Sequence, residues 1–266
     1  MMSLDNQGQP VDSLLQPVCV AVAPCKCCGT SSPLYGVVDF NKNCEQHKRK
    51  ILGISGTPVY YYRCPQCRFI FSTAFDHFST DDFKRFIYND EYLKVDPDYR
   101  EARPQGCAAL LGKLFVTIKP PMILDFGGGS GRLAEYLRGG GFPRADTYDP
   151  FVAEHAARPG ERYPCIVSFE VLEHTTDPGK TIREMDSLLA NPGLIIFSTL
   201  LQPADIETQG LNWWYAGPRN GHVSLYSRDS LLALVRPYGF QLASFSDNLH
   251  LLSRQIPDFA RHLVRS

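Results

Sequence analysis

The sequence predicts an α/β protein in which a mainly parallel sheet follows a small cysteine-rich N-terminal module. Three observations lead to this prediction. From residue 122 onward, apolar runs alternate with helical patterns, as in a doubly wound sheet. A glycine-rich turn joins the first of these runs to the first helical pattern. Two C-x-x-C motifs lie in the first third of the 266-residue chain.

The glycine-rich turn has the spacing Asp-x-Gly-x-Gly-x-Gly over residues 125–131, and a helical pattern starts at Arg132. Glycine tolerates positive φ and lets a ligand approach the backbone, while a helix start offers N–H groups. Dinucleotide-binding folds need Gly-x-Gly-x-x-Gly instead. An acid before the turn disfavours a pyrophosphate and suits a ligand with a cationic amino-acid end. A turn without a ligand is the alternative.

A second acid, Asp149, ends a short strand 22 residues after Gly127. Doubly wound folds place a ribose-binding carboxylate at this point, because its two oxygens match two hydroxyls. A simple turn at Asp149-Pro150 is the alternative. Further along, residues 166–174 read IVSFEVLEH, an apolar strand that ends in acidic residues and a histidine.

Together these segments resemble the class I S-adenosylmethionine (SAM) methyltransferases, over about residues 105–266. The turn at 125–131 matches their motif I. The letters EVLEH are frequent in the branch that contains ubiquinone-pathway O-methyltransferases and many sugar or lipid methyltransferases. The resemblance implies a Rossmann-like class I methyltransferase sheet and SAM as cofactor. The cofactor site that it implies consists of Asp125, Gly127, Gly128, Gly129, Gly131, Asp149, Pro150, Phe169, Glu170 and Val171.

The remaining elements follow the order of that family, with one departure. We expect a helix over 178–189, a strand over 193–199, a helix over 230–235, and a hairpin from 240–245 and 249–253. Only 14 residues separate Pro150 from the strand near Cys165. Since a crossover needs about 10–12 residues with its helix, the third-strand unit is predicted to be shortened or missing. Glu161 is the candidate substitute for the acid that contacts adenine in the family.

The two C-x-x-C motifs are 35 residues apart and predict a structural zinc site of ribbon type. Its ligands would be Cys25, Cys28, Cys64 and Cys67. Cys27, Cys44 and His47 are competing ligands. Disulfides and a redox C-x-x-C are weaker alternatives, because the cysteine count is odd and no thioredoxin-like unit surrounds either motif. With no signal-peptide pattern and no apolar stretch of about 20 residues, we expect a cytoplasmic protein.

The acceptor is expected to bind at the insertion over residues 200–227, which holds both tryptophans of the chain. Aromatic side chains there can stack on flat or sugar-like ligands, and an arginine can bind a phosphate or carboxylate. The predicted substrate residues are Trp213, Trp214, Tyr215, Arg219 and Tyr226. His222 is the first candidate for a general base, since imidazole titrates near neutral pH. A purely structural His222 is the alternative, and His174 is a second candidate base or a local cap.

These predictions combine into a SAM-dependent methyltransferase for a small-molecule or saccharide acceptor, including a nucleotide sugar. The net charge of −1 and pI of about 6.6 disfavour a nucleic-acid partner. A non-catalytic SAM-binding protein and an RNA methyltransferase are the alternatives. Zinc-ribbon C-methyltransferases of deoxysugar pathways are partly similar. The predicted domains are a disordered tail at 1–18, a zinc ribbon at 19–78, a helical linker or lid at 79–114, and the methyltransferase domain at 115–266.

Overall fold

A computed structural model describes residues 19–264 of the chain. These residues form two compact units that interleave along the sequence. Unit 1 contains residues 19–97, 172–179 and 200–234, and unit 2 contains residues 98–171, 180–199 and 235–264. The predicted tail at 1–18 lies outside the described residues, and the predicted domain boundaries stay a prediction. Among residues 19–264, no helix is long and apolar enough to cross a membrane.

Unit 1 is built on an antiparallel five-stranded sheet with the order β1-β2-β3-β4-β9. Its strands are β1 (Val22–Pro24), β2 (Ser31–Asp39), β3 (Pro58–Arg63), β4 (Ile70–Ser72) and β9 (Ser224–Leu225). Strands β3 and β4 lie on either side of the second C-x-x-C motif. Aromatic residues of these strands, Tyr61, Tyr62 and Phe71, are fully buried. Burial of such large rings contributes to the stability of this sheet.

The insertion over residues 200–227 contributes regular elements to unit 1. Strand β9 comes from this insertion and pairs with β4, with Ile70 opposite Leu225. The insertion also contains helix α6 (Ile206–Gln209) and short 3-10 turns. The other helices of the chain are α1 (Thr80–Phe86), α2 (Tyr92–Val95), α3 (Ala102–Leu114), α4 (Arg132–Gly139), α5 (Pro178–Leu188) and α7 (Arg228–Val235). A capping box of Ser79 and Asp82 starts α1.

Unit 2 contains a six-stranded sheet with the order β10-β11-β8-β7-β5-β6. Four strands are parallel: β5 (Ile123–Phe126), β6 (Ala145–Tyr148), β7 (Tyr163–Ser168) and β8 (Leu189–Ser198). The closing hairpin of β10 (Gln241–Ser244) and β11 (Leu249–Gln255) is antiparallel to them. Ile123, Val167 and Ile196 lie in the core, where the strands are buried as continuous apolar runs. The predicted α/β fold with a Rossmann-like sheet is confirmed.

The third-strand unit is missing, as the length of the segment predicts. Between β6 and β7, the described chain contains only a 3-10 turn at Ala153–His155 and no strand. The edge of the sheet is therefore β6. Glu161, the candidate adenine acid, is exposed and forms an ion pair with Arg144. Nothing in this pairing requires a ligand, so the adenine role of Glu161 has no support in the structure.

Candidate functional site

The glycine loop, residues 127–131, follows β5 and is held by side chains that leave no room for a Cβ atom. A Cβ atom on Gly127 would lie 2.5 Å from Cγ2 of Val171, and one on Gly128 would lie 2.1 Å from Oδ2 of Asp125. Gly127 and Gly131 also have φ of 74° and 78°, which side chains rarely adopt. The loop thus requires glycine for both reasons and presents bare backbone.

Asp125 is a buried carboxylate at the end of β5, directly beneath this loop. Its exposure is 2%, and its Oδ2 atom has no hydrogen-bond partner among the described residues. Burial, together with the charge of Asp149, raises the pKa of Asp125 to about 7. A buried carboxylate that lacks compensation attracts a cation. The ammonium group at the methionine end of SAM is such a cation, so the residues present fit the cofactor that the resemblance implies.

Asp149 follows β6 and binds the backbone of the glycine loop. Its Oδ2 accepts a hydrogen bond from the Gly129 amide at 2.8 Å, and its Oδ1 accepts one from the Phe151 amide at 2.8 Å. Each carboxylate oxygen has a second lone pair, which leaves acceptors for the two hydroxyls of a ribose. The Gly129 amide, by contrast, is already used and is not offered to an anion. This arrangement agrees with the absence of a dinucleotide spacing in the sequence.

The segment after β7 adopts an unusual backbone conformation beside the loop. Glu170 has φ of 54°, a left-handed conformation that costs a residue with a side chain on the order of 1 kcal/mol. Ser198 holds it there, because the Ser198 hydroxyl donates to Glu170 Oε1 at 2.7 Å and accepts from the Glu170 amide at 2.8 Å. Val171 then reaches the glycine loop. Phe169 is half-buried next to them. The structure thus brings together most of the predicted cofactor residues.

Three residues near the loop were missed or only partly recognised from sequence. Tyr99 lies in the segment predicted as a linker or lid, and its hydroxyl is 3.0 Å from a Cβ atom placed on Gly129. His155 Nε2 lies 2.8 Å from a Cβ atom placed on Gly131, with Thr147 Oγ1 at 3.4 Å from the same position. The short segment after β6 was a usable signal for His155, because few residues are left there to cover the loop.

The four predicted zinc ligands form a second candidate site, which lies in unit 1. The Sγ atom of Cys25 is 3.5 Å from that of Cys67, and Cys28 Sγ is 3.5 Å from both Cys64 Sγ and Cys67 Sγ. A disulfide needs about 2.05 Å. Four sulfurs around Zn²⁺ at about 2.3 Å would be about 3.8 Å apart. The sulfur positions therefore fit a tetrahedral metal ion.

The two cysteine turns have the same backbone geometry. In the first, the Cys25 carbonyl accepts from the Gly29 amide at 2.8 Å, and in the second the Cys64 carbonyl accepts from the Arg68 amide at 3.0 Å. Gly29 and Arg68 both have positive φ, 76° and 61°. Repeated turns of this kind are typical of a zinc ribbon. Of the competing ligands, Cys27, Cys44 and His47 do not belong to this group of four sulfurs. The backbone amide of Cys27 donates a hydrogen bond to Cys25 Sγ.

A third group, here called the histidine cluster, consists of Glu173, His174 and His222 and also lies in unit 1. Nitrogen and carboxylate atoms of the three residues lie within 4.8 Å of one another. Tyr215 connects two of them: its hydroxyl donates to Glu173 Oε1 at 2.6 Å, and its carbonyl is 2.8 Å from His222 Nδ1. Since a carbonyl only accepts, Nδ1 of His222 carries a proton in this contact.

The other predicted substrate residues are mostly built into unit 1. Trp213 and Tyr226 are buried, and Tyr226 donates to the carbonyl of Leu172 at 3.1 Å. Arg219 is 5% exposed and donates to the Ile87 carbonyl at 3.0 Å and to Asn89 Oδ1 at 2.9 Å. Burial lowers the pKa of Arg219. Trp214 is the exposed aromatic of the group, at 39%.

Comparison with known proteins gives a family for this chain. The sequence model of a family described as a methyltransferase domain matches residues 99–244. No curated protein matches the chain in sequence. Among solved structures, an O-methyltransferase family protein from Burkholderia thailandensis aligns with 15% identity and a TM-score of 0.46 over 69% of this chain. The aligned region spans 62% of that protein, so the chain matches about three fifths of its length.

Two further structures align with similar scores. Magnesium protoporphyrin IX methyltransferase from Synechocystis has 16% identity and a TM-score of 0.43, with 59% of this chain and 85% of that chain covered. The 1,6-didemethyltoxoflavin-N1-methyltransferase of Burkholderia thailandensis has 16% identity and a TM-score of 0.43, with 61% and 82% covered.

Proposed function

This chain belongs to the methyltransferase-domain family, and we propose that it uses SAM to methylate a small-molecule or saccharide acceptor. The observation that carries the proposal is the buried carboxylate of Asp125 beneath a loop in which glycine is required. When bound, SAM supplies an electrophilic methyl group on a sulfonium. The chain's own residues hold the cofactor and manage the proton of the acceptor.

The proposed cofactor contacts follow the three parts of the SAM molecule. Asp125 binds the ammonium of the methionine end, and the glycine loop lies against the same end. Asp149 binds the ribose hydroxyls with the lone pairs that its backbone hydrogen bonds leave. Phe169 and Val171 provide apolar contacts beside the loop. The adenine end has the fewest contacts, because the third-strand unit that would cover it is missing.

Zinc is proposed as a second, structural cofactor, held by Cys25, Cys28, Cys64 and Cys67. Small modules bury too little apolar surface to be stable alone, and a metal supplies the difference. The sulfur distances of 3.5 Å and the two matching turns support this assignment. The proposed role of the ion is to hold the turn between β1 and β2 against the turn between β3 and β4, because each turn contributes two of the four ligands.

The acceptor is proposed to be neutral rather than a nucleotide sugar. Arg219 is the candidate for binding a phosphate or carboxylate, but two of its nitrogens already donate to Ile87 and Asn89, and the side chain is buried. An anion at Arg219 would have to break these bonds. Exposed Trp214 remains available for stacking on a flat ring or a sugar face. The chemistry therefore favours an uncharged aromatic or sugar-like acceptor.

His222 is the proposed general base for an acceptor hydroxyl or amine. Its Nδ1–H donates to the Tyr215 carbonyl, which fixes the ring, and Nε2 is the proposed acceptor of the proton. Methyl transfer to a hydroxyl releases one proton, which a neutral imidazole can take. His174 lies beside it, with ring centroids 4.8 Å apart, and is the second candidate.

Release of S-adenosylhomocysteine from SAM tests the proposal. We expect release in the presence of one class of uncharged phenolic or saccharide acceptors and none with RNA. The His222→Ala variant should lose turnover but still bind SAM. The matched control, His262→Ala, changes an exposed histidine of unit 2 and should be fully active. Activity with RNA alone, or full turnover of His222→Ala, would overturn the acceptor class or the base, respectively.

A non-catalytic SAM-binding protein is the second candidate, and one observation favours it. The described chain has no strand between β6 and β7, where a complete sheet of this family carries the adenine-contacting unit. This candidate predicts SAM binding without turnover for every acceptor class. The same release assay, combined with a binding measurement, separates the two candidates.

A further inference from the structure

We propose that Glu173, His174 and His222 bind a divalent transition-metal ion at a second metal site, separate from the cysteine cluster. Their ligand atoms lie within 4.8 Å of one another, and all three residues belong to unit 1. Two imidazoles and one carboxylate are a ligand set for Zn²⁺, Fe²⁺ and related ions. The inference goes beyond methyl transfer, because metal binding needs neither SAM nor an acceptor.

The burial of the cluster is the first argument for a cation. Glu173 is fully buried and His222 is 6% exposed, whereas His174 is only half-buried. A carboxylate in such a place is costly unless positive charge compensates it. A divalent ion between the three side chains would provide that charge. The half-buried side at His174 gives the ion a way in.

The outer contacts of the cluster resemble those of known metal sites in kind. A histidine ligand usually donates its second ring N–H to a carbonyl, and a carboxylate ligand is usually itself hydrogen-bonded. Tyr215 does both: its carbonyl accepts from His222 Nδ1, and its hydroxyl donates to Glu173 Oε1. One residue therefore orients two of the three ligands. The proposed ligand atoms of these two residues are Nε2 of His222 and a carboxylate oxygen of Glu173, and both residues belong to the group whose ligand atoms lie within 4.8 Å of one another.

The backbone around the ligands is fixed by hydrogen bonds on both segments. The Val223 amide donates to the Glu173 carbonyl at 2.9 Å, which ties the segment of His222 to that of Glu173 and His174. The hydroxyl of Tyr61, from β3, donates to the His222 carbonyl at 2.7 Å. Preorganised ligands lose little conformational entropy on binding. At bond lengths of about 2.1 Å, tetrahedral ligand atoms are about 3.4 Å apart, so atoms that now lie within 4.8 Å of one another would move together by at most about 1.4 Å.

Three protein ligands leave at least one coordination position open, unlike the closed set of four cysteines. A metal ion at this place would lower the pKa of an oxygen ligand such as an acceptor hydroxyl. His222 Nε2 would then coordinate the ion instead of taking a proton. The histidine cluster would in that case promote loss of the acceptor proton through the metal ion and not through His222 as a base. Measuring the metal content of the chain distinguishes these two roles of His222.

The test is the metal content of the full chain after loading with Zn²⁺ and desalting, measured by plasma mass spectrometry. We expect His174→Ala and His222→Ala to hold one equivalent less than the wild type, with the His262→Ala control unchanged. The result is the difference in metal content between each variant and the wild type, so it does not depend on how many ions the cysteines hold. Equal metal content in wild type and both variants would overturn the proposal.

A second measurement covers the case in which an alanine variant unfolds. Tyr215→Phe keeps all three ligands and the carbonyl but removes the hydroxyl that donates to Glu173. When only the cysteine site is filled first, with one equivalent of Zn²⁺, added Co²⁺ should bind at the histidine cluster and give weak visible bands without thiolate charge transfer. We expect Tyr215→Phe to bind Co²⁺ about 10-fold more weakly, as loss of an outer contact does. Unchanged affinity, or no Co²⁺ binding by the wild type, would contradict the site. SAM binding and turnover are measured separately. Loss of the methyltransferase proposal would appear there and would leave the metal measurements unaffected.

Discussion

Replacing Asp125 by asparagine should stabilise the ligand-free protein above neutral pH while removing most of its affinity for SAM. Burial and the charge of Asp149 raise the pKa of Asp125 from its ordinary value of 3.8 to about 7. A raised pKa for an acid means that the folded state binds more protons than the unfolded state between these two values. The free energy of unfolding of the wild type therefore falls as pH rises through this window. The asparagine variant lacks this loss.

The magnitude follows from the size of the pKa change. One pKa unit corresponds to about 1.4 kcal/mol, so the fully ionised Asp125 costs the folded chain about 4 kcal/mol above pH 7. We expect about 3 kcal/mol of this loss between pH 5 and pH 8. Urea unfolding at both pH values, followed by circular dichroism, measures it as the difference between wild type and Asp125→Asn. Asp247→Asn is the matched control, because Asp247 is an exposed acid of unit 2.

Binding of SAM should reverse the order of stability. The ammonium of SAM pairs with the ionised carboxylate, so SAM should stabilise the wild type more at pH 8 than at pH 6. Removing one partner of a buried charge pair costs about 3–5 kcal/mol, which lowers the affinity of Asp125→Asn for SAM by about 100-fold or more. An Asp125→Asn variant that is less stable than the wild type at pH 8, or that binds SAM as tightly, would contradict this role of Asp125.

Three further changes test separate parts of the account. Asp149→Ala removes the acceptor of the Gly129 amide and the proposed ribose contacts, and we expect calorimetry to show SAM affinity about 10–100-fold lower; equal affinity would remove the ribose role. Gly127→Ala places a Cβ atom 2.5 Å from Val171 Cγ2 at φ of 74°. Its melting temperature should fall, and adding Val171→Ala should restore part of that loss because it removes the clashing atom. An unchanged melting temperature would mean that the glycine loop has room for a Cβ atom at this position. Cys64→Ser should remove one Zn²⁺ and several kcal/mol of unit 1 stability, and a variant with full zinc content and an unchanged unfolding curve would contradict the ribbon.

The sequence predicts the sheet of unit 2 well because its signals are local. The apolar run before Asp125, the glycines after it and the helical pattern from Arg132 each act within a few residues. The missing third strand could be predicted by counting, since 14 residues cannot hold a helix, a strand and another helix. The hairpin of β10 and β11 could be predicted from two apolar segments around a polar turn.

Contacts between distant segments could not be predicted in this way. Strand β9 has two residues and no pattern of its own, and it exists because it pairs with β4. Glu170 adopts positive φ because Ser198, 28 residues later, holds both its amide and its carboxylate. Arg219 has the residue type of an anion binder, yet its partners Ile87 and Asn89 lie about 130 residues earlier in the chain. No periodicity in the sequence reports such pairings.

Calorimetric titration of the full chain with SAM tests the central claim most directly. We expect one molecule of SAM per chain, with an affinity that falls when the pH is lowered through the pKa of Asp125, because protonation removes the charge that binds the ammonium. Absence of binding at high micromolar SAM, at a pH where Asp125 is ionised, would contradict the account.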